Sequence, residues 1–311
     1  MTFLGIEIGG TKLQLVAGGE DGRILDRHRF VVDRKAGGEG IRTQLTSALP
    51  DLIARHHPTA VGVGFGGPVD HRSGRICCSH QITGWTDFAL GDWLKAQTGL
   101  PVRVDNDANV AALGEARHGA GRGANPVFWI NMGSGVGGGL VADGHVYHGA
   151  TPGEAEIGHV CLDKSGVRVE QRCSGWAVDR RIREAVDLHP GSILAELVGD
   201  QLGGEARALA PALERNDELA HAILSELADN LSFALSHVVQ LLHPEVIVVG
   251  GGLSLVGAPL RQAIASALPQ YVMDSFQPGP RIALAGLGED SVPVGALVLA
   301  AARFAEPGKS R

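Results

Sequence analysis

Apolar runs that end in glycine recur four times along the chain and organise it. Phe3 to Ile8 is an apolar strand that breaks at Gly9-Gly10-Thr11-Lys12, returns as Leu13 to Ala17 and turns again at Asp21-Gly22. From Pro126 the pattern repeats. An apolar strand ends at Gly133-Ser134-Gly135-Val136-Gly137-Gly138-Gly139, Leu140-Val141-Ala142 comes back, and Asp143-Gly144 closes the turn. Bend to turn spans thirteen residues in the first copy and eleven in the second, so the chain reads as an internal duplication. Two further strands run into glycine, Ala60 to Phe65 before Gly66-Gly67-Pro68 and Val246 to Val249 before Gly250-Gly251-Gly252.

Helical spacing fills the intervals. Ile41, Leu45, Leu49, Leu52 and Ile53 predict a helix over 40–54 that contains Pro50, and Leu90 to Gln97 predicts another that Gly99 ends. A short strand, Val102 to Val104, leads into Asp105-Asn106-Asp107-Ala108-Asn109 and a helix over Val110 to Arg117. Ser174-Gly175-Trp176 opens a helix, Asp217 to Leu242 carries one long apolar stripe before Pro244, and Pro259 to Ala267 has proline in its first turn. A closing helix over Val294 to Phe304 starts at Gly295-Ala296, which allows close packing against a glycine loop. Pro307 to Arg311 should fray.

The composition excludes several classes of function. At 311 residues the chain is long enough for about two domains, and Gly119 to Asn125 is the best candidate for the boundary. A formal charge of −7 with no Lys/Arg tract gives no reason to expect a nucleic-acid or membrane partner. The first strand begins at once, no long apolar span follows, and a cytoplasmic protein is expected. Cys77, Cys78, Cys161 and Cys173 make a poor disulfide framework and read as buried free thiols.

Candidate chemistry clusters at the bends. Glycine admits positive φ and leaves N–H groups pointing into a bend, so each hairpin could cradle a phosphate; bulges and tight turns use glycine too. Asp107 stands at the start of a helix after a strand, either as a cap or as a functional carboxylate favoured in its ionised form there. Glu154, Glu156 and His159 lie close together after the second hairpin, where a structural histidine and a polar site are both open.

With these residues in view, the chain resembles the ROK family (repressor, open reading frame, kinase) of sugar kinases and repressors. Gly5 to Lys12 is similar to the family's first phosphate motif, Asn106-Asp107-Ala108-Asn109 to its catalytic motif and Gly133 to Gly139 to its second phosphate motif. Glu156-Ile157-Gly158-His159 is similar to its sugar-site motif, and Gly250-Gly251-Gly252 to its adenosine motif. The resemblance implies an α/β fold of two actin/hexokinase-like (ribonuclease H-like) lobes with a cleft between them. The first lobe would span 1–118 and the second 119–293, with the helix in 294–311 packing back on the first. It implies an ATP-dependent hexose kinase, glucokinase-like, acting with Mg²⁺ on a small sugar, and a homodimer.

Residue by residue, the resemblance implies that Asp107 accepts the proton of the sugar hydroxyl. Gly67, Asn106, Glu156, His159 and Glu170 would form the sugar site. Gly9, Gly10, Thr11, Lys12, Gly133, Ser134 and Gly135 would face the ATP phosphates, and Gly251 and Gly252 the adenosine. Three departures stand out. Glu7 occupies the place of an aspartate that helps to hold the metal's water, so any Mg²⁺ contact falls to a longer side chain. Leu162 to Val169 replaces the family's cysteine-rich zinc motif, and no zinc is expected. Gln81 lies near the usual place of a sugar-binding asparagine. Fructokinase or N-acetylhexosamine kinase activity is the alternative within the enzyme class. A sugar-responsive repressor would need a helix-turn-helix segment, and only Met1 and Thr2 precede the first strand; a silent sugar sensor would not need the retained Asp107.

Overall fold

The computed structural model describes residues 1–79, 81–200 and 202–302, which form two compact units. The first unit gathers 1–118, 148–154 and 290–302. Its sheet is built from β1 (Phe3–Ile8), β2 (Lys12–Gly18), β3 (Ile24–Val31), β4 (Val61–Phe65) and, after a small hairpin of β5 (Val69–Asp70) and β6 (Arg75–Ile76), β7 (Val102–Asn106), with α1 (Gly37–His56), α2 (Leu90–Thr98) and α3 (Asp107–His118) between and after the strands. The strand order is β3-β2-β1-β4-β7. β1 to β3 are joined by tight bends and pair antiparallel, whereas β4 and β7 follow helices and pair parallel, as crossover connections require. Leu4, Ile6, Ile8, Leu13, Leu15, Val61, Val63 and Phe65 pack beneath α1 as one core.

The second unit spans 119–147 and 155–289. It contains β8 (Val127–Met132), β9 (Val136–Ala142), β10 (His145–Val146), α4 (Val169–Cys173), α5 (Gly175–Leu188), α6 (Ile193–Val198), α7 (Leu209–Glu214), α8 (Glu218–Leu242), β11 (Val246–Gly250), α9 (Ala258–Ala267) and β12 (Arg281–Leu284). Its order, β10-β9-β8-β11-β12, has the same sequence of antiparallel and parallel pairings as the first sheet, so the duplication read from the glycine bends extends to whole sheets. Asp143 and Gly144 have φ of 52° and 74°, the left-handed pair that a two-residue hairpin turn needs. Asp217 caps α8 by accepting the Ala220 N–H at 2.7 Å, and the apolar stripe of α8 lies in the larger core.

The last helix, α10 (Ser291–Ala301), belongs to the first unit. Its glycine does not meet a loop. A Cβ on Gly295 would stand 1.8 Å from the Val110 carbonyl oxygen, and one on Gly114 would stand 2.4 Å from that of Ser291, so α10 crosses α3 at a pair of glycines. Gly62 in β4 admits α10 on its other side, 2.0 Å from a would-be Cβ to the Ala296 oxygen. Arg303, Phe304 and the expected frayed end, 307–311, lie outside the described residues. The segment 148–154, expected in the second lobe, belongs to the first unit. Of the thiols, only Cys173 is fully buried; Cys161 is exposed, Cys77 and Cys78 are half-buried, and none of the four is in a disulfide.

Candidate active site

In the first unit the junction between β7 and α3 carries Asn106-Asp107-Ala108-Asn109. Capping falls to Asn106 rather than to Asp107. The Asn106 Oδ1 accepts the N–H of Ala108 at 2.8 Å and of Asn109 at 3.3 Å, and its Nδ2 donates to the Gly67 oxygen at 3.1 Å. Asp107 is the first helical residue, half-buried, with Oδ2 3.3 Å from the place of a Cβ on Gly66. The helix dipole favours its negative charge there. Asn106, Asp107 and Gly67 are therefore brought together, over the end of β4.

Behind the junction lies a polar network that the sequence does not advertise. Asp105, buried, accepts the Asn106 N–H at 2.8 Å and Asn109 Nδ2 at 3.0 Å through one oxygen, and its other oxygen lies 2.7 Å from His148 Nε2. Asn109 also donates to the Gly153 oxygen at 2.8 Å, and Glu154 accepts the Val69 N–H at 2.8 Å. The His148 ring stacks on His71, centroids 3.6 Å apart. Burial, and then the neighbouring His148, hold the His71 pKa below its ordinary value. The only hint in the sequence was that Asp105 and Asn109 flank the catalytic pair.

The first glycine bend is closed by the Gly9 N–H donating to the Lys12 oxygen at 2.9 Å. Lys12 Nζ lies 3.2 Å from Glu7 Oε1, and Gln14 Nε2 donates to Glu7 Oε2 at 2.7 Å. Gln14, fully buried, is oriented in turn by Arg29 Nε at 2.8 Å. Gln81 lies over Gly10, where a Cβ would stand 1.7 Å from its Oε1. Thr11 is exposed at the tip of the bend.

In the second unit the Gly133 N–H donates to the Gly135 oxygen at 3.0 Å, and the Gly133 oxygen accepts from Gly175 N–H, the first residue of α5, at 2.7 Å. Ser134 is exposed at the tip. Glu170 meets this bend: its Oε2 accepts the Val136 N–H at 3.0 Å and lies 2.6 Å from the place of a Cβ on Gly135. A Cβ at 135 would push this carboxylate away from the Val136 N–H. Gly251 has φ of 81° and lies against the end of β8, 2.5 Å from a would-be Cβ to the Met132 carbonyl carbon, whereas Gly252 faces open space. Glu156 and His159 are both about half exposed, with Oε2 and Nε2 4.0 Å apart.

Magnesium in phosphoryl transfer needs only one or two carboxylates besides substrate phosphates, and the Glu7 carboxylate beside the first bend fits that demand. Burial pushes the metal-free Cys173 thiol up to about 12. Among the described residues no three His, Cys, Asp or Glu side chains are grouped to hold a metal.

A sheet of this order occurring twice, with a glycine bend in each copy and a carboxylate opening the helix after β7, defines an α/β class built from two like halves. The chain belongs to the ROK family, whose profile matches residues 3–303. It is 34% identical to a glucokinase of Halalkalibacterium halodurans over 94% of this chain and 93% of that one. It is 28% identical to a glucokinase of Thermotoga maritima over 95% and 96%. A ROK family glucokinase from Streptomyces griseus, solved with glucose and AMPPNP, superposes with a TM-score of 0.84 at 30% identity, covering 96% of this chain and 99% of that one. The fold is the actin/hexokinase-like α/β fold of these kinases. No helix among the described residues is long and apolar enough to cross a membrane.

Proposed function

We propose that this chain is an ATP-dependent hexose kinase that phosphorylates glucose at its 6-hydroxyl, in the cytoplasm and as a homodimer. The observation that carries the reading is the division of labour at α3: Asn106 caps the helix, and the Asp107 carboxylate stands at its first residue over Gly66. Asp107 takes the proton of the sugar hydroxyl, the oxygen forms a bond to the γ-phosphorus, and the bond to ADP breaks. Thr11, Lys12 and the N–H groups of the two glycine bends position the phosphates, and Gly251 and Gly252 let the adenosine approach backbone closely. Mg²⁺, when bound with the nucleotide, would neutralise phosphate charge, and Glu7 would be the residue to hold it. Gly67, Asn106, Glu156, His159 and Glu170 hold the sugar. Glu170 also supports the second bend, which would couple sugar and phosphate binding. Light scattering should read about twice the 32.4 kDa of one chain.

The test is ADP release with a panel of glucose, fructose, mannose and N-acetylhexosamines. Glucose should give the highest kcat/KM, and Asp107→Asn, which keeps size and loses the base, should lower kcat by about 10²-fold or more while glucose still binds. That two relatives are named glucokinases supports the choice of glucose for this chain. No ADP release with any sugar would leave a silent sensor, and near wild-type turnover in Asp107→Asn would remove Asp107 from the role of base.

A further inference from the structure

His159 ends a short turn, Ile157–His159, and the chain then makes a tight hairpin that returns beside it. Leu162 N–H donates to the Val167 oxygen at 2.7 Å, Val169 N–H to the Val160 oxygen at 3.0 Å, and Cys161 bridges to Arg168. Asp163 ties the tip by accepting the Ser165 N–H at 2.7 Å. The Arg168 backbone is fixed where the hairpin meets α4: its N–H donates to Gln171 Oε1 at 2.9 Å and its oxygen accepts the Gln171 N–H at 3.1 Å. From that anchored start the side chain reaches back, and Arg168 Nη1 stands 3.3 Å from His159 Nδ1.

The chemistry of the pair decides where the imidazole proton sits. A guanidinium carries five N–H donors and no acceptor, and it stays protonated in proteins. The ring nitrogen that faces it must therefore present a lone pair. Nδ1 is the acceptor, and the proton of the neutral ring is on Nε2. Nε2 points to the side of Glu156, whose Oε2 is 4.0 Å away. That gap is too wide for a direct hydrogen bond and leaves room for one hydroxyl, which can accept from Nε2–H and donate to the carboxylate.

We propose that Arg168 is a positioning residue of the sugar site: its guanidinium holds His159 in the Nε2–H tautomer, so that His159 donates and Glu156 accepts at one sugar hydroxyl. A side-chain cation on a hairpin thus does the orienting of the ring. The proposal rests on the reading of Glu156 and His159 as sugar ligands.

The test combines a spectroscopic and a kinetic readout. In protein labelled with ¹⁵N-histidine near neutral pH, the His159 resonances, assigned by their loss in His159→Gln, should show Nε2 protonated and Nδ1 bare, with or without glucose. Arg168→Met keeps the aliphatic bulk without the donors. It should mix the tautomers and raise KM for glucose about 10-fold, the scale of one charge-assisted hydrogen bond, while kcat and KM for ATP change by less than about threefold. Arg168→Gln, whose amide can still donate to Nδ1, should recover part of the lost glucose KM. Because Arg168 is exposed, both variants should fold, and melting checks that they do. A His159 proton on Nδ1 in the wild type, or a wild-type glucose KM in Arg168→Met, overturns the proposal. Absence of turnover with every hexose would sink the kinase reading and leaves the tautomer measurement in the sugar-free protein to decide this one.

Discussion

Glu7 shows how one extra methylene is absorbed. Its two oxygens are met by Lys12 and Gln14, so the longer acid is braced beside the first bend. If that carboxylate holds the water of a nucleotide-bound Mg²⁺, Glu7→Gln should raise the Mg²⁺ concentration for half-maximal activity by about 10-fold with little change in melting temperature. An unchanged Mg²⁺ titration would make Glu7 an anchor for Lys12 and nothing more. His71 makes a different prediction. Burial and the adjacent His148 hold its pKa below the ordinary 6.5, while Asp105 and Asp70 pull the other way and Arg72 adds to the lowering. The unfolded chain therefore takes up the proton more readily than the folded one. Stability from this residue is complete above about pH 6.5 and is lost as pH falls through that value toward the lower folded pKa. Urea midpoints at pH 7.5 and 5.5 should differ in the wild type, and His71→Phe should narrow the difference. An identical difference in the variant would assign the acid sensitivity to other groups.

At the scale of elements, α10 and α3 approach so closely that glycine is demanded twice. A side chain at Gly295 would enter the Val110 carbonyl, and backbone cannot move aside as a flexible side chain can. Gly295→Ala should cost about 2 kcal/mol or more of unfolding free energy, seen as a lower denaturant midpoint, since overpacking against a helix backbone forces the whole element to shift. A neutral effect would mean that α10 rides loosely on α3. The same crossing explains why Gly295 itself meets a helix, while Val294 beside it lies against the Gly22 turn. The glycine was recognisable as a close-approach residue, but its partner is another helix, which no local pattern names. The bends were legible for the opposite reason: apolar strand, glycine run and return strand are contiguous along the chain.

For the whole molecule, a ligand that binds only the folded chain must stabilise it by mass action. Glucose at about 100 times its Kd should contribute about 2.7 kcal/mol, a rise in Tm of several degrees. Fructose at the same concentration should give a smaller shift. Equal shifts for both sugars would argue against glucose preference independently of any turnover assay.

The sequence alone determined the duplicated strand-and-bend plan, most helices to within a few residues, the family, and the place of Asp107 at a helix start. Each of these depends on residues that are neighbours along the chain, where alternation, glycine bends and caps act. It did not determine which side chains meet. That Asn106 rather than Asp107 caps α3 depends on rotamers. That Glu170 lies under the second bend, 34 positions from Val136, that His148 reaches Asp105 across 43, and that Arg168 turns back on His159 were decided only when the sheets and hairpins closed. Hydrogen bonds between distant side chains have no period in sequence. They exist because the apolar strands and helix faces pack in one register, which brings polar groups within about 3 Å of partners they must satisfy once water is excluded.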